Sequence, residues 1–463
     1  VEPYRLSLSE ASALISSGDL TPLALTESVL QRIEDVDPRV NAFVTVTAEA
    51  ALQRATEATK DISRGAYRGP LHGIPIAIKD LIDTAGVPST SSSQVRRHHI
   101  PDNDAAIVST LSAAGMIMVG KTQTHEFAYG GVTPTTRNPW DLQRIVGGSS
   151  GGSAAVVSYG GALAAIGTDT AGSIRIPASL CGIVGLKPTF GSVSRVGIAS
   201  LSWSLDHVGP LTRTVTDAAL MLTAMCAYDP ADPGSYRRTT SDFTQGIDDG
   251  IVGLRVGVPT NFFTEKVDPE TARTVQDAVD VLKDRGARIV PVEIPHAEHF
   301  SAVITGIMMP EASTYHRETL RESPELYTDE VRGLLEVGET ILATDYIHAL
   351  RFRQMMKSAW QHVMRAVDVV VAPTVFTTAL PAKDPVHYWP DGTTETASVG
   401  YGRLSIPASL FGLPTLQMPC GLSQEGLPIG MQVIGRPFAE RTVLSVGREY
   451  ERHSASVAGL APL

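Results

Sequence analysis

Two glycine-dense turns constrain this chain more than any other feature: Gly147-Gly148-Ser149-Ser150-Gly151-Gly152-Ser153 and Gly167-Thr168-Asp169-Thr170-Ala171-Gly172-Ser173-Ile174-Arg175. Glycine lets a backbone turn tightly and approach its neighbours closely. The turns set two serines, Ser149 and Ser173, 24 residues apart. Upstream, Gly73-Ile74-Pro75-Ile76-Ala77-Ile78-Lys79-Asp80 ends a short apolar run on a lysine. A nucleophile, a proton relay and a buried amine base can all come from these stretches without a histidine. That combination suits the cleavage of an acyl bond.

The surrounding pattern alternates strand and helix. Ser7-Leu8-Ser9-Glu10 predicts a capped helix start, and Thr21-Pro22 opens a second amphipathic helix through 23–35. The run 74–78 predicts a buried strand, 105–114 a helix stopped by Gly115, and 116–120 the next strand. The stretch 153–167 is made almost wholly of small residues and predicts a helix buried on several sides. Downstream, 254–259 reads as a strand, Asp268-Pro269 caps a helix, and 287–292 reads as a second strand. Such a βαβ unit implies parallel pairing with helices on the sheet faces. A later strand, 368–372, closes at Pro373, and 228–250 and 383–402 read as surface excursions. No internal boundary stands out, so 1–463 reads as one α/β domain with a peripheral helical region at 296–366.

Composition excludes several functions. A chain of 463 residues with 43% hydrophobic and 19% charged residues can bury a large core. Its net charge of −11 argues against a nucleic-acid groove, which needs clustered Lys and Arg. The one basic cluster, Arg96-Arg97-His98-His99, reads as a solvated loop. Cys181, Cys226 and Cys420 are far apart and read as buried thiols of a reducing cytosol. Residues 1–30 lack the pattern of a signal peptide, and no run approaches the ~18 apolar residues of a spanning helix. The sequence opens on Val1 rather than Met, which leaves room for preceding residues. The reading is a cytoplasmic protein, monomer or homodimer, that contacts neither membrane nor nucleic acid. The twelve histidines are scattered, so neither a metal nor a cofactor is expected.

Each turn has other meanings taken alone. Gly147-Gly148-Ser149-Ser150-Gly151 satisfies the G-x-S-x-G nucleophile elbow. An elbow needs a buried strand directly before it, yet Trp140-Asp141-Leu142-Gln143-Arg144 is polar and follows Asn138-Pro139. A glycine-rich loop before a helix can also cradle phosphate, but no Gly-Lys-Ser/Thr follows it, which excludes a Walker-type site. A turn without chemistry is the third possibility.

Together, the three stretches resemble the amidase signature family. The likeness continues through Gly185-Leu186-Lys187-Pro188-Thr189 and Ser204-Leu205-Asp206-His207-Val208-Gly209-Pro210. It returns in Ile406-Pro407-Ala408-Ser409-Leu410 and Gly426-Leu427-Pro428-Ile429-Gly430-Met431-Gln432, so that it runs from about residue 6 to 450. The resemblance implies one large domain with a mixed central β-sheet covered by helices on both faces. It implies Ser173 as nucleophile, Ser149 (after a cis peptide bond) as relay, and Lys79 as ultimate base. Burial at the end of an apolar strand is what would lower a lysine pKa from about 10.4 toward neutrality. The N–H groups of Thr170, Ala171 and Gly172 can turn toward one point and hold an oxyanion. Ser150, Thr168, Asp169 and Arg175 are supporting residues, the last two as a pair bracing the loop. Ala171 departs from the Gly-Gly usual before the nucleophile, which the loop tolerates if position 171 keeps φ below zero.

The family holds independent amidases and the glutaminase subunits of aminoacyl-tRNA amidotransferases. Glutaminase members carry an acidic residue before the Ile-Pro segment, where this chain has Gly402, four residues before Ile406. Their tyrosine-rich helix is also missing, with Asp345-Tyr346-Ile347-His348-Ala349 in its region. Both differences favour an independent amidase acting on a small amide, anilide or carbamate. A catalytically silent, partner-binding protein is the remaining class. The substrate pocket is expected from 126–133, 305–314 and 375–401, with Tyr129, Gly130, Met308 and Phe376 as its lining.

Overall fold

The apolar run before Lys79 is a strand, Pro75–Lys79, buried at every position. A computed structural model describes residues 2–237, 241–454 and 459–463. In chain order its strands are Phe43–Val46 (β1), Pro75–Lys79 (β2), Ile117–Thr122 (β3), Arg137–Asn138 (β4), Asp141–Ile145 (β5), Ala164–Asp169 (β6), Val184–Lys187 (β7), His207–Thr212 (β8), Arg255–Pro259 (β9), Arg288–Val292 (β10), Val369–Pro373 (β11), Val386–Tyr388 (β12), Thr394–Thr396 (β13), Thr415–Leu422 (β14) and Pro428–Gly435 (β15). Among the described residues, eleven form one sheet in the order β1-β3-β2-β6-β8-β7-β14-β15-β11-β9-β10, while β4–β5 and β12–β13 are separate ribbons. Pairing is mixed: β2–β3, β2–β6, β9–β10 and β9–β11 are parallel, and β6–β8, β7–β8 and β14–β15 antiparallel.

Strand alternation divides the interior into two cores, because successive side chains point to opposite faces. On β11, Val369 and Val371 join a core with Val275 and Leu282 of helix Pro269–Asp284 and Val443 and Leu444 of helix Glu440–His453. Val370 and Ala372 face the other way, toward Ile304 and Ile307 of helix Phe300–Glu322 and Trp360 of helix Ala343–Ala366. Helices therefore cover both faces of one sheet. Each fully buried aliphatic side chain contributes roughly 1.5–3 kcal/mol.

Local signals set most boundaries. Ser7 and Glu10 form a capping box at helix Leu8–Ser17, and Asp268 caps Pro269–Asp284 by accepting from the backbone N–H groups of Glu270 and Thr271. Helix Pro22–Val40 runs five residues beyond the expected end at 35 and carries Pro38 inside it. The region 296–366 is helical, with Phe300–Glu322, Asp329–Glu339 and Ala343–Ala366.

Four expectations are corrected. The small-residue stretch 153–167 is not one helix: helix Gly151–Tyr159 stops at Gly160, whose φ is 89°, and β6 begins at Ala164. A stretch of small, non-polar residues has no apolar–polar alternation, so periodicity could not divide helix from strand. The polar stretch before Ser149 is a strand after all, β5, though it pairs only with β4 and lies outside the main sheet. The excursion at 383–402 contains the β12–β13 hairpin and helix Ala397–Arg403. Arg96 is not solvated but turns inward to an ion pair with Asp83 at 2.7 Å. Within the excursion at 228–250, residues 238–240 lie outside the described residues.

Candidate active site

Lys79 sits at the carboxyl end of β2 with no solvent exposure. Its Nζ lies 2.8 Å from each of three hydroxyls: Ser149 Oγ, Ser150 Oγ and Thr168 Oγ1. Burial disfavours the ammonium and lowers the pKa from 10.5 to about 7, against the opposing pull of Asp169 and Asp206. The carboxylates near it in sequence are engaged elsewhere. Asp80 accepts from the Thr90 N–H and lies 3.8 Å from Lys121, and Asp83 pairs with Arg96.

The first turn enters the site through a cis peptide bond between Gly148 and Ser149. A β-carbon at Gly148 would lie 2.8 Å from the Val132 backbone, so close packing demands glycine there. The Ser149 carbonyl accepts from the His125 N–H at 3.1 Å and from Thr133 Oγ1 at 3.0 Å. Ser150 Oγ donates to the Thr168 carbonyl at 3.1 Å, and its N–H donates to the Ser173 carbonyl at 3.1 Å. That backbone bond joins the two glycine-dense turns directly.

The second turn wraps around Asp169. This carboxylate accepts from the N–H groups of Gly172 at 2.7 Å and Ile174 at 3.2 Å, and from Arg175 Nε at 3.0 Å and Nη2 at 3.1 Å. Burial alone would raise its pKa, but the Arg175 guanidinium outweighs that and holds the carboxyl well below the usual range. Both members of the pair are fully buried. Asp169→Ala would strand the Arg175 charge in the interior, and is expected to cost about 3–5 kcal/mol in chemical denaturation.

The N–H of Gly172 is therefore spent on Asp169 and does not face an oxyanion, contrary to the expectation from sequence. Its φ of 122° and the Ser405 side chain, 2.7 Å from where a β-carbon would stand, still require glycine. Among the described residues, no acceptor takes the N–H groups of Thr170, Ala171 or Ser173. Ala171 keeps φ below zero, which satisfies the condition its β-carbon imposes. Thr170 Oγ1 donates to Asp206 at 2.6 Å, and Asp206 also accepts from the N–H groups of Leu201 and Ser202.

Ser173 opens onto a cleft of about 440 Å³ with mostly apolar walls, among them Ile176, Ile304, Met308 and Ile406. Tyr129 and Gly130 line it as well. The Tyr129 hydroxyl is buried with no partner among the described residues, and burial raises its pKa. Phe376 does not line the cleft: it is fully buried, with its ring centroid 5.2 Å from that of Tyr401. Helix Ala397–Arg403 stands between, its Val399 and Gly402 toward the cleft and its Gly400 against the Phe376 ring. Sequence reasoning missed Glu330 and Leu334, which reach the cleft from helix Asp329–Glu339. It also missed the part of Asp206, whose only signal was a lone acid in the run Leu205-Asp206-His207.

Among the described residues no helix is long and apolar enough to cross a membrane, and no group of three His, Cys, Asp or Glu could hold a metal ion.

Comparison with known proteins defines the class. The family model described as amidase matches residues 24–444. An amidase of Pseudomonas putida is 47% identical over 450 residues, covering 97% of this chain and 96% of its own. A glutamyl-tRNA(Gln) amidotransferase subunit of Chloroflexus aurantiacus is 40% identical over 479 residues, covering 97% of each. A solved structure from a vestigial protein complex, described as revealing the evolutionary origins of an s-triazine catabolic enzyme, superposes with a TM-score of 0.94 at 33% identity. It covers 99% of this chain and 100% of its own. Fold and sequence define a hydrolase acting on carbon–nitrogen bonds. The chain belongs to the amidase family.

Proposed function

We propose that the chain is an independent amidase that hydrolyses carboxamides, anilides or carbamates with an apolar portion, through Ser173, Ser149 and Lys79. The observation that carries this reading is the Lys79 amine, buried, with a pKa of about 7, and 2.8 Å from three hydroxyls. The Ser150 hydroxyl proton is committed to the Thr168 carbonyl, so Ser150 accepts from Lys79. A neutral Nζ can then donate to Ser150 and Thr168 and turn its lone pair to the Ser149 proton.

Ser149 passes its proton to Lys79 and takes the proton of Ser173 as that hydroxyl attacks the carbonyl carbon. The N–H groups of Thr170, Ala171 and Ser173 receive the oxyanion, each such donor worth about 3–4 kcal/mol in acyl transfer. Collapse breaks the C–N bond while Lys79 returns its proton through Ser149 to the leaving amine. Water then repeats the sequence on the acyl-enzyme and releases the acid. Buried thiols at Cys181 and Cys420 fit a reducing cytoplasm, where the protein would act without cofactor as monomer or homodimer.

A glutaminase role within an amidotransferase is the second reading, supported by the likeness to the Chloroflexus aurantiacus protein. Gly402 speaks against it, since it lines the cleft and supplies no carboxylate where glutaminase members carry one. The test is a panel of glutamine, short aliphatic amides, anilides and carbamates, scored by released ammonia or amine. Turnover of anilides or apolar amides is expected, and turnover of glutamine alone would overturn the proposal.

A further inference from the structure

The cleft is electrically one-sided. Among the described residues, Glu330 is the only acid that lines it, and no Lys, Arg or His does. Glu330 lies in the first turn of helix Asp329–Glu339, where the helix dipole favours a negative charge. The helix start is fixed: Glu126 accepts from the N–H of Thr328 at 2.9 Å and from its hydroxyl at 2.6 Å, and Thr328 caps the helix. His125 Nε2 stands 3.6 Å from a Glu330 carboxylate oxygen, and the imidazole lies against the Gly130 turn. The neighbouring His125 imidazole holds the Glu330 carboxyl below its usual range. The side chain is 57% exposed, so its charge is accessible to a solute rather than consumed by a buried pair. Around it stand the apolar walls formed by Met308, Met309 and Leu334.

A carboxylate in an apolar recess, with the His125 imidazole beside it and no Lys, Arg or His among the described lining residues, attracts positive solutes and repels negative ones. We propose that Glu330 determines specificity, selecting amides that carry an ammonium or guanidinium group away from the scissile bond and rejecting those that carry a carboxylate. This rests on the amidase reading of the same cleft. A substrate carboxylate meets no cationic side chain among the described lining residues, which weighs further against a free amino acid such as glutamine.

Two matched triplets test it. One carries the charge on the acyl side: p-nitroanilides of 6-aminohexanoic, heptanoic and adipic acids. The other carries it on the amine side: acetanilides with para aminomethyl, ethyl and carboxymethyl groups. At pH 8 and low salt, kcat/KM in at least one triplet is expected to be about tenfold higher for the cation than for the neutral member. The carboxylate member of that triplet is expected to fall about tenfold below it. The cation-to-anion ratio should collapse toward one in Glu330→Gln, survive in Glu330→Asp, and shrink between 0.05 and 0.5 M salt as screening grows. Ratios near one in both triplets of the wild type, or an unchanged ratio in Glu330→Gln, would overturn the proposal. Failure of the amidase reading looks different: no neutral anilide or amide would be cleaved by the wild type, whatever the charge ratios.

Discussion

Ser173→Ala is expected to abolish turnover, with kcat falling by about 10⁴- to 10⁶-fold, the range seen when a serine nucleophile is removed. The substitution deletes one hydroxyl at the cleft wall and leaves intact the carbonyl that accepts from Ser150. The loop is held by Asp169 rather than by this side chain, so the variant should unfold cooperatively at a denaturant midpoint close to that of the wild type. Intact-mass measurement after treatment with a serine-directed phosphonate should find one adduct on the wild type and none on the variant. Hydrolysis at the wild-type rate by Ser173→Ala would remove Ser173 from the mechanism. The catalytically silent reading would return if the wild type itself proved inert across the amide panel.

The second large effect belongs to Lys79. Lys79→Ala should cost about 10³-fold or more in kcat/KM, since it removes the proton acceptor for Ser149. The wild type should show a matching pH profile. Only the neutral amine is a base, so kcat/KM should fall tenfold per pH unit below about 7 and level off above it. Stability carries the same signature with a definite sign. The folded lysine titrates near 7 and the unfolded one near 10.5, so between these values the unfolded chain binds the extra proton. Raising pH from 7 to 10.5 should therefore stabilise the wild type relative to Lys79→Met, with no such trend below 7. A flat rate profile across pH 6–8, or Lys79→Ala retaining full activity, would transfer the base to another group.

The placement of residues at the inner end of the cleft was legible because it is local in sequence. Lys79 terminates an apolar strand, Ser149 and Ser173 sit in glycine-dense turns, and Asp169 and Arg175 are six residues apart across one loop. What was not legible depends on how side chains are aimed and on contacts between distant parts of the chain. The use of the Gly172 N–H turns on how the Asp169 carboxylate is aimed, and no residue pattern specifies that. Glu330 reaches the cleft from a helix whose start is tied to Glu126, some 200 residues earlier. Phe376 read as an apolar pocket residue of the segment 375–401, and a stack with Tyr401 puts it behind the wall. Helix Gly151–Tyr159 and strand β6 share a composition of small residues, and the left-handed Gly160 that divides them is one glycine among several in the stretch.

The Glu126 carboxylate has a wider consequence. It joins two halves of the cleft with separate tasks: an inner half of sheet ends and glycine turns, and an outer wall hung on Thr328 by two hydrogen bonds. The inner half contains every group assigned to bond breaking, while the outer wall contributes Glu330 and Leu334. On the proposed mechanism, exchanging helix Asp329–Glu339 should shift substrate preference while leaving the proton path from Ser173 to Lys79 in place.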